Sequence, residues 1–132
     1  MTEYDIPSDL LYAKTHEWAK ATEKEVTVGI TSYAVIQMDK EIVNIELPEK
    51  GARVKKGESF GVVDSVKAAF DLYAPVTGEV TDVNKPASER PEIVADSPYV
   101  QGWLIKIKMN DPNDLNDLMK AADYKNFLAS HE

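Results

Sequence analysis

Lys67 stands among small residues in Ser65-Val66-Lys67-Ala68-Ala69, between two strand-like runs, Phe60 to Asp64 and Phe70 to Tyr73. A lysine at the tip of a hairpin offers an exposed primary amine, and small neighbours leave room for an enzyme that acylates it. Alone, a turn lysine reads as a solvated charge. What sets this one apart is its frame: Pro48-Glu49-Lys50-Gly51 and Pro75-Val76-Thr77-Gly78 repeat a Pro-x-x-Gly turn on either side, which suggests two halves folded around it. Other chemistry has thin support. His16 has only His131 as a second histidine, no serine lies in a Gly-x-Ser-x-Gly context, and His-x-x-x-His is absent, so neither a catalytic triad nor a transition-metal site can be assembled. With 0 cysteines there is no disulfide, thiolate ligand or thiol nucleophile, and any sulfur chemistry must arrive on a cofactor.

The elements that would position Lys67 read as mainly β. Glu25 to Ile30 alternates, with Val26, Val28 and Ile30 on one face. Ile42 to Leu47 places Val43, Ile45 and Leu47 against Asn44 and Glu46, and Trp103, Ile105, Ile107 and Met109 alternate with Lys106 and Lys108. Ser32 to Met38, after a Thr31 cap, predicts one or two helical turns. Asp111-Pro112 with Leu115, Leu118, Met119 and Ala122 at i, i+3, i+4 and i+7 predicts an amphipathic helix, with a kink or second short helix near Ala121 to Asp123. Residues 84–98, with Pro86, Pro91 and Pro98, read as a surface loop. Trp18 and Trp103 read as core.

The 132 residues match one domain, 1–132, with enough chain to bury a single core. A formal net charge of -8, with no basic cluster longer than Lys55-Lys56 beside Arg53, argues against nucleic acid. Apolar runs are too short for a membrane span, and Met1-Thr2-Glu3-Tyr4-Asp5 is acidic where a signal peptide would be basic, so a cytoplasmic place of work is expected.

Motifs along nearly the whole chain resemble the glycine cleavage system H protein family of lipoyl carriers: His16-Glu17-Trp18, Val28-Gly29-Ile30-Thr31, Ile45-Glu46-Leu47-Pro48, Asp64-Ser65-Val66-Lys67-Ala68-Ala69, Tyr73-Ala74-Pro75-Val76-Thr77-Gly78-Glu79-Val80, Pro98-Tyr99 and Gly102-Trp103-Leu104. Biotin carriers generally carry Met-Lys-Met at the handle, whereas Val66-Lys67-Ala68 resembles the lipoyl type. The chain departs from the usual pattern at Met38-Asp39-Lys40-Glu41, where the family has Leu-Gly-Asp or Leu-Gly-Glu, at Asp64 for Glu, and at Phe70 for Ser or Thr.

The resemblance implies a barrel-sandwich hybrid of two antiparallel sheets with a rough internal two-fold and a C-terminal helix. It also implies lipoate bound covalently to Lys67. The expected role is a shuttle, itself no enzyme and with no catalytic residue. It takes an aminomethyl group from glycine decarboxylase (P protein) to the aminomethyltransferase (T protein), then delivers dihydrolipoyl to dihydrolipoyl dehydrogenase (L protein). Attachment would need a lipoyl ligase or an octanoyl/lipoyl transferase. The family's cargo-holding acids match Glu17 and Asp71, with His16 lining the same pocket. A carboxylate there would keep the cargo amine protonated, and so unable to expel the thiolate; both acids are expected to be ionised near neutrality, and Asp71 is expected to sit near Lys67 across the hairpin end. The alternative role is a lipoyl donor in a relay to 2-oxoacid dehydrogenase complexes, which would need Lys67 but not the acids.

Overall fold

Apolar alternation along Glu25–Ile30 produces the strand it predicts: Val26, Val28 and Ile30 are all buried, and the strand pairs on both sides. A computed structural model of the chain describes residues 5–130, so His131 lies outside the described residues. Strands β1 (Leu11–Tyr12), β2 (Glu17–Ala21), β3 (Glu25–Ile30), β5 (Arg53–Val54), β8 (Gly78–Val83), β9 (Ile105–Met109) and β10 (Met119–Lys120) form one sheet in the order β10-β1-β2-β3-β9-β8-β5. A second sheet has β4 (Ile42–Glu46), β6 (Ser59–Ser65) and β7 (Ala69–Tyr73) in the order β4-β6-β7. All pairings are antiparallel, as expected for two packed sheets. The core lies between them. Val28, Val80, Ile105 and Ile107 from the large sheet meet Ile45, Val63 and Leu72 from the small one, and burial of each such side chain stabilises the fold by about 1.5–3 kcal/mol.

Helix α1 (Ser32–Gln37) links the two sheets, capped by Thr31, whose hydroxyl accepts the Ala34 N–H at 3.2 Å. Helix α4 (Ala121–Ser130) closes the chain over a second cluster containing Tyr12, Trp18, Tyr124 and Leu128.

Four local expectations fail for identifiable reasons. The helix expected from Asp111 onward is a 3-10 turn at Pro112–Leu115, capped by Asp111, followed by β10; Met119 and Lys120 pair with Tyr12 and Leu11, and this long-range ladder outweighs the local period. The second short helix expected near Ala121 to Asp123 is present, since α4 begins at Ala121, with Ala121, Tyr124 and Leu128 buried. Residues 84–98 hold two short helices, α2 (Lys85–Glu89) and α3 (Glu92–Asp96), because Pro86 falls in a first turn that tolerates it and Ala87 and Val94 reach the core. A register shift between Ile42 and Asn44 turns Ile42 inward and leaves Val43 58% exposed, against the expected alternation. Trp18 is core, whereas Trp103 is only half-buried, with the Lys106 ammonium 5.1 Å from its ring centroid.

The two Pro-x-x-Gly segments differ at their glycines. Gly51 has φ +94 in a turn, while Gly78 opens β8 so close to Lys108 that an added Cβ would lie 2.0 Å from the Lys108 carbonyl oxygen.

Candidate functional site

The hairpin joining β6 to β7 turns through Val66, Lys67 and Ala68. None of the three has positive φ, so the turn is not of the primed types that usually close tight hairpins. Ser65 provides the closure instead. Its backbone N–H donates to the Ala68 carbonyl at 2.8 Å and its hydroxyl donates to the same carbonyl at 3.1 Å. The Ser65 Oγ also accepts the N–H groups of Lys67 and Ala68 at 3.3 and 3.2 Å. A further bond from Val66 N–H to the Glu41 carbonyl, 3.1 Å, ties the tip to the α1–β4 connection. The backbone under Lys67 is thus held at five points while the side chain projects outward, 63% exposed.

Lys67 Nζ lies 2.5 Å from Asp39 Oδ2. The hydrogen bond and charge of Asp39 favour the ammonium and push the lysine pKa up. Asp39 and Lys40 both occupy the left-handed region, φ 54 and 60. Asp39 was not legible as a site residue, since nothing local marks it as reaching the hairpin. Asp71, expected beside Lys67, lies opposite Val62 on β6, and its carboxylate accepts the Ser59 hydroxyl at 3.3 Å.

Beside the hairpin lies a cleft of about 510 Å³. One wall is the start of β2, with Thr15, His16 and Glu17; a second is α1, with Tyr33, Gln37 and Met38; the third is β7, from Ala69 to Tyr73. The adjacent His16 and Glu17 and the sequence-distant Asp71 therefore line one space. Glu17 is 2% exposed; it accepts the Tyr73 N–H at 3.2 Å and a short hydrogen bond from the Thr15 hydroxyl. Burial raises its pKa from 4.5 to about 7, against the lowering effect of those bonds. The expectation that Glu17 is fully ionised near neutrality is corrected accordingly: desolvation outweighs the two donors. Asp71 is exposed at the cleft's outer edge. Thr15, Tyr33, Gln37 and Phe70 went unread as lining residues because their shared cleft forms only when β2, α1 and β7 pack together.

Lys67 stands two residues before Ala69 on the wall of a cleft that buries a carboxyl, and residues 10–131 match the family model for the glycine cleavage H-protein. The chain belongs to the glycine cleavage H-protein family. It is 48% identical over 128 residues to the glycine cleavage system H protein of Anaeromyxobacter sp. (strain K), covering 97% of this chain and 99% of that one. The Thermus thermophilus H protein is 47% identical over 126 residues, covering 96% and 98% of the two chains. The crystal structure of the H protein from Mycobacterium marinum superposes with a TM-score of 0.87 at 35% identity, over 94% of this chain and 99% of that one. Glycine cleavage H proteins are carriers, and lipoate is their family cofactor. Among the described residues, no helix is long and apolar enough to cross a membrane.

Proposed function

We propose that this H protein is the lipoyl-bearing shuttle of the glycine cleavage system, with lipoate in amide linkage to Lys67 and the aminomethyl cargo held in the cleft of Glu17, Asp71 and His16. The observation that carries the reading is a braced turn presenting one exposed lysine beside a cleft that buries a carboxyl group. The residues fit the group: Lys67 Nζ is open to acylation, and its root is held by Ser65, so mobility resides in the arm and not in its base. When bound, the lipoyl group supplies a dithiol that carries the one-carbon unit and then a pair of electrons.

The chain's own residues bind and protect. Acylation of Lys67 replaces an ammonium by a neutral amide, so the Asp39 ion pair is present before loading and lost after it. Glu17, with a pKa raised to about 7, gives up its proton when a cationic amine enters, and its carboxylate then holds that amine as an ammonium. Shielding from water makes this contact stronger than an exposed pair, which is worth about 0–1 kcal/mol. Asp71, exposed, contributes less.

A buried carboxyl favours the shuttle over a lipoyl-donor relay, because a relay needs the lysine but no cargo pocket. In this reading the partners are the P, T and L proteins and a lipoyl ligase or octanoyl/lipoyl transferase, met in the cytoplasm; the shared name of the relatives supports them. The test is a reconstituted glycine cleavage assay with Lys67→Arg, whose guanidinium cannot be acylated in this way. Folded but inactive Lys67→Arg protein is expected; full activity would overturn the proposal.

A further inference from the structure

A chain of three hydrogen-bonding groups, Thr31 and Tyr124 buried and His16 half-buried, connects the C-terminal helix to the cleft. Thr31 is 0% exposed; its hydroxyl oxygen accepts the Ala34 N–H as the cap of α1 and lies 2.9 Å from the Tyr124 hydroxyl. Tyr124, also 0% exposed, lies on its other side 2.8 Å from His16 Nδ1.

The direction of these bonds follows from who can accept. A buried hydroxyl hydrogen needs an acceptor. For Thr31, the Ala34 N–H is itself a donor, so the Thr31 hydrogen goes to the Tyr124 oxygen. The Tyr124 hydrogen must then go to His16 Nδ1. That makes Nδ1 an acceptor and leaves the ring proton on Nε2. Protonating His16 would put a second hydrogen against the Tyr124 hydroxyl, whose own hydrogen would lose its acceptor.

The surroundings hold this arrangement still. His16 has φ 74; its N–H donates to the Ala13 carbonyl and its own carbonyl accepts the Thr31 N–H, both at 3.0 Å. Its ring packs on Tyr33 with centroids 4.5 Å apart, and the Tyr124 ring stacks on Tyr12 at 4.7 Å and 4°.

We propose that Tyr124 is a positioning residue of the cleft: through the Thr31–Tyr124–His16 relay it fixes His16 as the Nε2–H tautomer and disfavours its protonation. The consequence rests on reading the cleft as the cargo site. A neutral imidazole adds no cation beside a cationic amine and leaves the carboxylates of Glu17 and Asp71 unopposed. Among the described residues that line the cleft or contact His16, the titratable groups are Glu17 on β2, Tyr33 on α1, Tyr124 on α4, and Asp71 and Tyr73 across the cleft on β7. All but the Tyr124 hydroxyl are unchanged in Tyr124→Phe, so that variant isolates the hydroxyl.

The test is 15N NMR of the histidine ring nitrogens in the full chain carrying His131→Ala, so that His16 alone gives the signal. The expected result is an Nε2–H ring in the parent protein, and a mixture of tautomers in Tyr124→Phe with the His16 titration midpoint raised by about 0.5–1 pH unit, the scale of one lost hydrogen bond. Thr31→Ser should keep the parental tautomer. Thr31→Val removes the donor to Tyr124 but leaves His16 Nδ1 as the acceptor for the Tyr124 hydrogen, so the ring proton should stay on Nε2. A parental ring protonated on Nδ1, or a folded Tyr124→Phe protein with unchanged tautomer and midpoint, would overturn the proposal; if Tyr124→Phe does not fold, the parental tautomer decides it. Decay of the aminomethyl-loaded protein should be several-fold faster in Tyr124→Phe. An altered tautomer with unaltered decay would overturn the cargo reading of the cleft while leaving the relay in place.

Discussion

The Glu17 carboxylate accepts the backbone N–H of Tyr73 at 3.2 Å, and this bond joins the β2 wall of the cleft to the strand that descends from the Lys67 hairpin. Because Glu17 is buried, its ionisation is linked to folding. Its folded pKa of about 7 exceeds its usual 4.5, so between these values the native state keeps a proton that the unfolded chain has lost. Stability should therefore fall as pH rises from roughly 4.5 to 7 and level off above, by about 3 kcal/mol for the full shift. Urea titrations at a series of pH values should show this slope in wild type and a flatter profile in Glu17→Gln, which cannot ionise. Equal slopes would remove Glu17 as the cause.

Ser65 braces the turn beneath Lys67 through its side chain as well as its backbone. Ser65→Ala leaves two turn N–H groups without that acceptor and should cost about 1 kcal/mol. Hydrogen exchange at the Lys67 and Ala68 amides should accelerate, while amides in β3 and β9 change less. Unchanged exchange at the tip would mean that the strand ladder alone closes the hairpin.

Much of this was legible in the sequence, and the parts that were not share a cause. Period-2 alternation located β3 to the residue and β9 closely, because both faces of those strands meet regular neighbours. Leu115, Leu118 and Met119 carried a helical period that the β1–β10 ladder overrode, and the inward turn of Ile42 depends on a bulge set by β6. The lysine motif marked the hairpin. Asp39 and Tyr124 were invisible as site residues because each acts across the fold, on Lys67 and on His16 respectively. Local pattern shows what a segment prefers; partners from distant segments settle the rest.

Gly78 is a test of how tightly β8 packs against β9. A methyl group there would meet the Lys108 carbonyl oxygen, a backbone atom that cannot move without disturbing the ladder. Gly78→Ala should destabilise by about 1–3 kcal/mol, read as a lower thermal midpoint. A midpoint within error of wild type would show that the ladder shifts freely.

Protection of the cargo should divide unequally between the two acids. Glu17→Gln removes a buried charge and should speed decay of the aminomethyl-loaded protein more than Asp71→Asn, whose carboxylate is exposed and screened. Neither should block acylation of Lys67. The decay rates of the three loaded proteins provide the check, and identical rates would make both acids bystanders.

Attachment of the lipoyl group to Lys67 is tested by incubating the protein with lipoate, ATP and a lipoyl ligase shown to be active on a separate lipoyl domain, then measuring intact mass and mapping the modified peptide. One lipoyl-sized increment on the peptide containing Lys67 is expected, absent in Lys67→Arg. An unmodified chain under those conditions, or an increment placed on another lysine such as Lys55 or Lys56, would contradict it.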